Sequence, residues 1–90
     1  VYGETINEKK LGMVDQAEQL LLDLGFHQVR VRIHGEMARI ELLPSEFGKF
    51  MEESCRTKVY DYLKELGFTY VTLDLGGYRT GSMNETLQGI

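Results

Sequence analysis

Arginines spaced two residues apart are the part of this sequence best suited to chemistry. Arg30 and Arg32 alternate with Val29, Val31 and Ile33, and Arg39 alternates with Ala38 and Ile40. In extended backbone, successive side chains point to opposite faces. The arginines therefore share one face with His34 and Glu41, and the aliphatic residues take the other. Planar guanidiniums fixed on a rigid strand suit bidentate binding of phosphate or carboxylate. Arg79 is expected to join them from the loop after Gly76-Gly77. Other chemistry is harder to build. His27 and His34 lack partners at metal-ligand spacing. The single cysteine, Cys55, falls on the apolar side of a helical pattern and reads as a small buried hydrophobe rather than a nucleophile. Gly76-Gly77-Tyr78-Arg79-Thr80-Gly81 has no Walker lysine and follows no nucleotide fingerprint. No nucleophile–base pair is legible.

The arginines need a hairpin to hold them. Gly35-Glu36 is suited to a two-residue turn of type II′, with glycine first. That turn sets His34 opposite Met37, Ile33 opposite Ala38, Arg32 opposite Arg39, Val31 opposite Ile40, Arg30 opposite Glu41 and Val29 opposite Leu42. A slip of one residue would turn one strand over and mix the two faces. Arg32 opposite Arg39 is a like-charge pair, which costs stability unless an anion lies between them. If the face is simply the solvated side of an amphipathic sheet, Arg30 opposite Glu41 would be a surface ion pair worth little.

A helix is expected before the hairpin. Thr5 and Glu8 have the spacing of a capping box, and Leu11, Val14, Ala17, Leu21 and Leu24 recur at helical spacing, with Met13, Leu20 and Leu22 widening the stripe. Gly25 ends this helix, with Phe26 packing back onto it. Glu18 falls on its polar side as a solvated carboxylate. Pro44-Ser45 interrupts the sheet and begins a helical region. Phe47, Phe50 and Met51 form its first turns, and its main helix carries Cys55, Val59, Tyr62, Leu63 and Leu66. A third strand then points Val71, Leu73 and Leu75 one way and Tyr70, Thr72 and Asp74 the other. Leu24-Gly25-Phe26-x-x-Val29-x-Val31 is echoed by Leu66-Gly67-Phe68-x-x-Val71-x-Leu73. The expected fold is α+β, in the order α-β-β-α-β. It is a three-stranded sheet with two helices on one face, as in a ferredoxin-like domain lacking its first strand, and its other face is open.

The 90 residues, 42% hydrophobic and 27% charged, make one domain, 1–90, and exclude a disordered chain. The net charge of −4 argues against general nucleic-acid binding, so any anion site is local. No apolar run has the length of a membrane span, about 20 residues, and a lone cysteine suits a reducing cytoplasm. The residues alone leave two readings of the arginine face open: an anion site, or the solvated face of an amphipathic sheet.

Two long motifs add a resemblance. Val29-Arg30-Val31-Arg32-x-His34-x-x-x-Ala38-Arg39-Ile40-Glu41 resembles the C-terminal region of the ATP-dependent sacrificial sulfur transferases, the LarE family. So does Leu66-Gly67-Phe68-x-Tyr70-Val71-Thr72-Leu73-Asp74-Leu75-x-Gly77-Tyr78-Arg79-x-Gly81-x-Met83-Asn84, and so does the opening Tyr2-Gly3. The resemblance implies the C-terminal part of a larger PP-loop enzyme that acts in assembling a nickel-pincer nucleotide. Such enzymes adenylylate a carboxylate on a pyridinium mononucleotide and then insert sulfur. By that likeness Arg30, Arg32 and Arg79 bind substrate phosphate, and Glu18 and Glu41 ligate a divalent metal. A family carboxylate that would complete the metal set is replaced here by Lys49. ATP and magnesium belong to the N-terminal PP-loop domain, whose Ser-Gly-Gly-x-Asp-Ser type loop this chain lacks. The sacrificial cysteine of the family precedes Tyr2-Gly3, and Cys55 does not match it. The resemblance therefore implies a cytoplasmic homo-oligomer whose C-terminal domain is inactive alone. The alternative is a non-catalytic ferredoxin-like module for ligand sensing or assembly.

Overall fold

The computed structural model describes residues 7–79. Helix α1 runs Glu8–Asp23, strand β1 Val29–His34 and strand β2 Met37–Leu42. A 3-10 turn over Pro44–Glu46 leads into a short helix α2, Phe47–Phe50, then helix α3, Glu53–Leu66, and strand β3, Tyr70–Leu73. The expected α-β-β-α-β order is present, with α2 as an addition within the helical region after Pro44.

Asn7 opens α1. Its Oδ1 accepts the Lys10 amide at 2.9 Å, satisfying one of the helix's otherwise unpaired donors. Thr5, expected to fill that role with Glu8, lies outside the described residues. The apolar stripe of α1 is narrower than its sequence suggests. Ala17 and Leu21 are fully buried, whereas Leu11 and Leu22 stay exposed. At 3.6 residues per turn those two leucines fall together on one flank, turned away from Ala17 and Leu21.

The sequence echo is a repeated structural device. Phe26 donates its amide to Leu21 O at 3.2 Å and Gly25 to Leu22 O at 3.0 Å. Phe68 donates to Leu63 O at 3.2 Å and Gly67 to Lys64 O at 3.1 Å. Both ends are Schellman closures, with Gly25 and Gly67 at φ 99° and 122°. Each closure drops a phenylalanine into the core, Phe26 and Phe68 both being 2% exposed, and aims the chain into the following strand.

The hairpin has the expected register throughout, from Val29 opposite Leu42 to His34 opposite Met37. Strand β2 is central. It is antiparallel to β1 and parallel to β3, with Arg39 opposite Thr72 and Ile40 opposite Leu73. Helices α1 and α3 contact each other and cover one face of the sheet, α1 over β1 and α3 over β3. Val31, Ala38, Ile40 and Leu42 meet Ala17, Leu21, Val59 and Leu63 there. Burying each valine, leucine and isoleucine among them is worth about 1.5–3 kcal/mol.

Strand β3 is shorter than its alternation predicts. Leu75 is 81% exposed instead of facing the core. Asp74 ends the strand by accepting the Gly76 amide on Oδ1 at 2.8 Å and the Gly77 amide on its carbonyl at 3.0 Å. Those two bonds curl the chain and swing Leu75 outward. The chain returns to the sheet where Tyr78 donates its amide to Leu42 O at 2.6 Å.

Candidate functional site

The sheet face away from the helices carries Arg30, Arg32 and His34 from β1, Arg39 and Glu41 from β2, and Thr72 from β3. Its layout departs from simple cross-strand pairing. Glu41 is 5% exposed, the one charged side chain buried among the described residues. Its Oε2 lies 3.5 Å from Arg32 Nε and 3.3 Å from Arg39 Nη2. The anion required between Arg32 and Arg39 is thus Glu41 of the same chain, one carboxylate beneath two guanidiniums. The expected Arg30–Glu41 ion pair is not formed. Glu41 leans diagonally to the arginine pair, where one oxygen compensates two like charges. Arg30 turns instead to Tyr78, with its guanidinium carbon 6.0 Å from the ring centre. Hydrogen bonding to Tyr78 holds that guanidinium still more firmly in its charged form.

Asp74 closes the arrangement. Its Oδ2 lies 3.7 Å from Arg39 Nε, and its Oδ1 fixes the Gly76 amide. The guanidinium of Arg79 rests against Gly76. The turn therefore brings Arg79 beside Gly76, two residues beyond the carboxylate that flanks Arg39. Arg32 and Arg39 are linked through Glu41, Asp74 flanks Arg39, and Arg30 packs against Tyr78. Tyr78 is the member that the sequence pattern does not reveal. Its place follows from the curl at Asp74 and the bond to Leu42, neither of which leaves a periodic signal.

Glu18 has a structural task. Closing the hairpin with His34 opposite Met37 directs the amides of Arg30, Arg32 and His34 into the ladder and those of Val29, Val31 and Ile33 outward. Glu18 Oε2 accepts the outward Val31 amide at 2.8 Å. The carboxylate that the alternation of α1 leaves in solvent thus caps the exposed edge of β1. Among the described residues, no three His, Cys, Asp or Glu side chains converge on a common cation position. A cation held by Glu18 and Glu41 would have to compete with Val31 for one and with Arg32 and Arg39 for the other.

Two other reactive groups, Cys55 and His27, have structural surroundings. Cys55 is half-buried against the core, and burial raises its thiol pKa, leaving less thiolate for chemistry. His27 Nδ1 lies 2.7 Å from Glu46 Oε2, and the His27 amide donates to Glu46 Oε1 at 3.2 Å. Lys49, which stands where the family has a carboxylate, places its ammonium 4.8 Å from the centre of the Phe26 ring. These contacts tie the loop before β1 to the 3-10 turn and α2. Hydrogen bonding from His27 lowers the Glu46 pKa below its ordinary 4.5. A carboxyl depressed in the folded state stabilises the fold above its unfolded pKa, and that contribution is lost as pH falls through the folded value. The wild-type urea midpoint is therefore expected to fall more steeply between about pH 5 and pH 3 than that of Glu46→Gln. Parallel curves would show that the His27–Glu46 contact contributes nothing.

Comparison with known proteins bears on the arginine layer directly. The chain is 49% identical over 86 residues to the pyridinium-3,5-bisthiocarboxylic acid mononucleotide synthase of Lactiplantibacillus plantarum. The chain is a relative of the LarE family. It is also 43% identical over 86 residues to an uncharacterized protein of Synechocystis sp.. Each match takes in 96% of this chain but only 30% and 32% of the relatives' own lengths, so the chain spans about a third of the proteins it matches. No family model matches it. The LarE resemblance read from the two arginine-bearing motifs thus extends over nearly the whole chain. No helix among the described residues is long and apolar enough to cross a membrane.

Proposed function

We propose that this chain is the phosphate-binding part of a LarE-type sulfur transferase acting in nickel-pincer nucleotide assembly, with Arg30, Arg32 and Arg79 holding the phosphate of a pyridinium mononucleotide. The observation that carries the reading is that Arg30, Arg32 and Arg39 share the open face of the sheet, with Arg79 in the turn beside Gly76, in a chain whose net charge is −4. A local excess of positive charge on a rigid sheet is what a phosphate needs. The LarE relative from L. plantarum is named for a mononucleotide product, which carries such a phosphate.

In this reading the chain binds and orients the substrate. Its parent's N-terminal PP-loop domain supplies ATP, magnesium and the adenylylation step, and sulfur transfer also needs residues outside this chain. The chain alone is inactive. A divalent cation at Glu18 and Glu41 would bind only by releasing the contacts those carboxylates now make. The test is a titration of isotope-labelled protein with nicotinic acid mononucleotide, a commercially available pyridinium mononucleotide, and separately with inorganic phosphate. The side-chain resonances of Arg30, Arg32 and Arg79 are expected to move, and Arg32→Ala to weaken the binding about tenfold, the loss of one charge-assisted fork. If none of the three moves at saturating ligand, the binding role fails.

A second feature favours assembly. The outer edge of β3 borders a cleft of about 270 Å³ lined by Phe50, Met51, Tyr60, Val71 and Leu73. Met51, Tyr60, Tyr70 and Leu75 are exposed in this part of the chain. An uncovered strand edge beside apolar side chains is suited to contact with another protein surface. The homo-oligomer expected from the resemblance would use this edge and leave the arginine face free. Light scattering of wild type and Tyr60→Glu checks it: a multimer that the substitution dissociates supports the use of this edge, and a monomeric wild type removes it.

A further inference from the structure

We propose that Arg39 is a further anion ligand of the arginine face, set beside Arg32 by the buried carboxylate of Glu41. The inference rests on the phosphate-binding reading above and extends it to a residue outside the set of Arg30, Arg32 and Arg79.

Arg39 stands on the central strand, directly opposite Arg32. Two guanidiniums facing each other across a ladder repel. Here both approach the same oxygen, Glu41 Oε2, at 3.3 and 3.5 Å. That carboxylate lies beneath them, in a residue 5% exposed, whereas the side chains of Arg39 and Arg32 remain 37% and 44% exposed. Glu41 thus meets the inner side of the pair and leaves outer donor positions of both guanidiniums towards solvent. Glu41 is the carboxylate both guanidiniums share; the second, Asp74, reaches only Arg39, at 3.7 Å from its Nε.

The far side of Arg39 is also incompletely satisfied. Its Nε is buried with no hydrogen-bond partner. The nearest carboxylate oxygen to that nitrogen, Asp74 Oδ2, is 3.7 Å away, beyond hydrogen-bonding reach. Asp74 is meanwhile engaged at its other oxygen by the Gly76 amide. Arg39 is therefore held by the fold, partly exposed at its guanidinium and short of one hydrogen-bond acceptor at Nε. An anion with several acceptor oxygens, such as a phosphate monoester, can take donors from Arg39 and Arg32 together. Planar forks suit that geometry where an ammonium does not.

The experiment uses the whole chain with inorganic phosphate and nicotinic acid mononucleotide as probes. In wild type, the Arg39 Nε–H resonance is expected to shift along the same saturation curve as that of Arg32. Arg39→Gln should weaken binding of both probes about tenfold, and Arg39→Lys, which keeps the charge and loses the fork, by about threefold. A purely structural Arg39 would leave its resonance unmoved, and Arg39→Lys would bind as wild type does. Either result overturns the inference, while shifts at Arg30, Arg32 and Arg79 would leave the wider reading standing. If no arginine responds to either probe, both fall together. Should Arg39→Gln fail to fold, the wild-type resonance and Arg39→Lys decide the matter.

Discussion

Glu41→Gln should destabilise the fold by about 1–3 kcal/mol at neutral pH and low salt. The substitution preserves shape, so no cavity opens and hydrophobic contact is unchanged. What is lost is the charge beneath Arg32 and Arg39, whose nitrogens lie 3.5 and 3.3 Å from one Glu41 oxygen. Removing one partner of a fully buried ion pair typically costs 3–5 kcal/mol, roughly the upper bound here. The arginines are about two-fifths exposed, and solvent screens part of their mutual repulsion once the carboxylate is gone. The cost should therefore shrink as salt is raised to about 0.5 M, where the screening length falls to a few ångströms. It should also shrink in an Arg32→Gln background, because a single guanidinium no longer faces a like charge. Urea unfolding of the four proteins in that cycle measures the coupling. A Glu41→Gln protein as stable as wild type at low salt would show that the pair tolerates its own repulsion, and Glu41 would lose its place as the centre of the layer.

The sequence made the hairpin legible because two-residue alternation and a tight turn constrain each other. Once Gly35-Glu36 is the turn, the register from Val29 to Leu42 follows, and the hairpin has that register. The two helix ends were legible for a similar reason: glycine followed by phenylalanine is a local signal, and both copies close in the same way. What alternation cannot supply is the direction of a long side chain within its face. Glu41 is placed opposite Arg30 by the ladder yet reaches the diagonal pair, since one carboxylate between two guanidiniums compensates more charge than one beside a single arginine. Helical periodicity leaves Glu18 in solvent because it sees only its own helix. Its partner, the Val31 amide, becomes visible only when α1 is laid along the edge of β1. Leu75 shows the limit at a strand end. Its apolar character continues the pattern, but the Asp74 side chain captures the Gly76 amide and ends the strand first. Tyr78 belongs to the site through that same curl, which has no period to read.

Gly77→Ala should be the most damaging single substitution in the site region, costing about 2–4 kcal/mol of stability and most of the anion affinity. Gly77 is buried at φ 82°, where a residue with a side chain is strained by about 1–3 kcal/mol. The added methyl has no room. It would lie 2.8 Å from Pro44 Cγ, 3.0 Å from Pro44 Cδ and 3.1 Å from the Leu42 carbonyl oxygen. A proline ring and a strand carbonyl cannot swing aside as a lysine tip can, so the Gly77 backbone must move. The next residue is Tyr78, whose amide donates to that same Leu42 oxygen. Moving Gly77 therefore breaks the bond that returns the chain to the sheet, separates Tyr78 from Arg30 and carries Arg79 away from the layer. Loss of stability alone would not establish that route. Gly12 provides the control: it lies within α1 with nothing inside 4 Å of an added methyl. Gly12→Ala should stabilise the helix by about 0.5–1 kcal/mol. In the Gly12→Ala background, Gly77→Ala should remain folded at low temperature, yet lose the response of the Arg30 and Arg79 resonances to nicotinic acid mononucleotide while Arg32 still responds weakly. A double variant that folds and binds at wild-type affinity would show that the turn does not position the arginines.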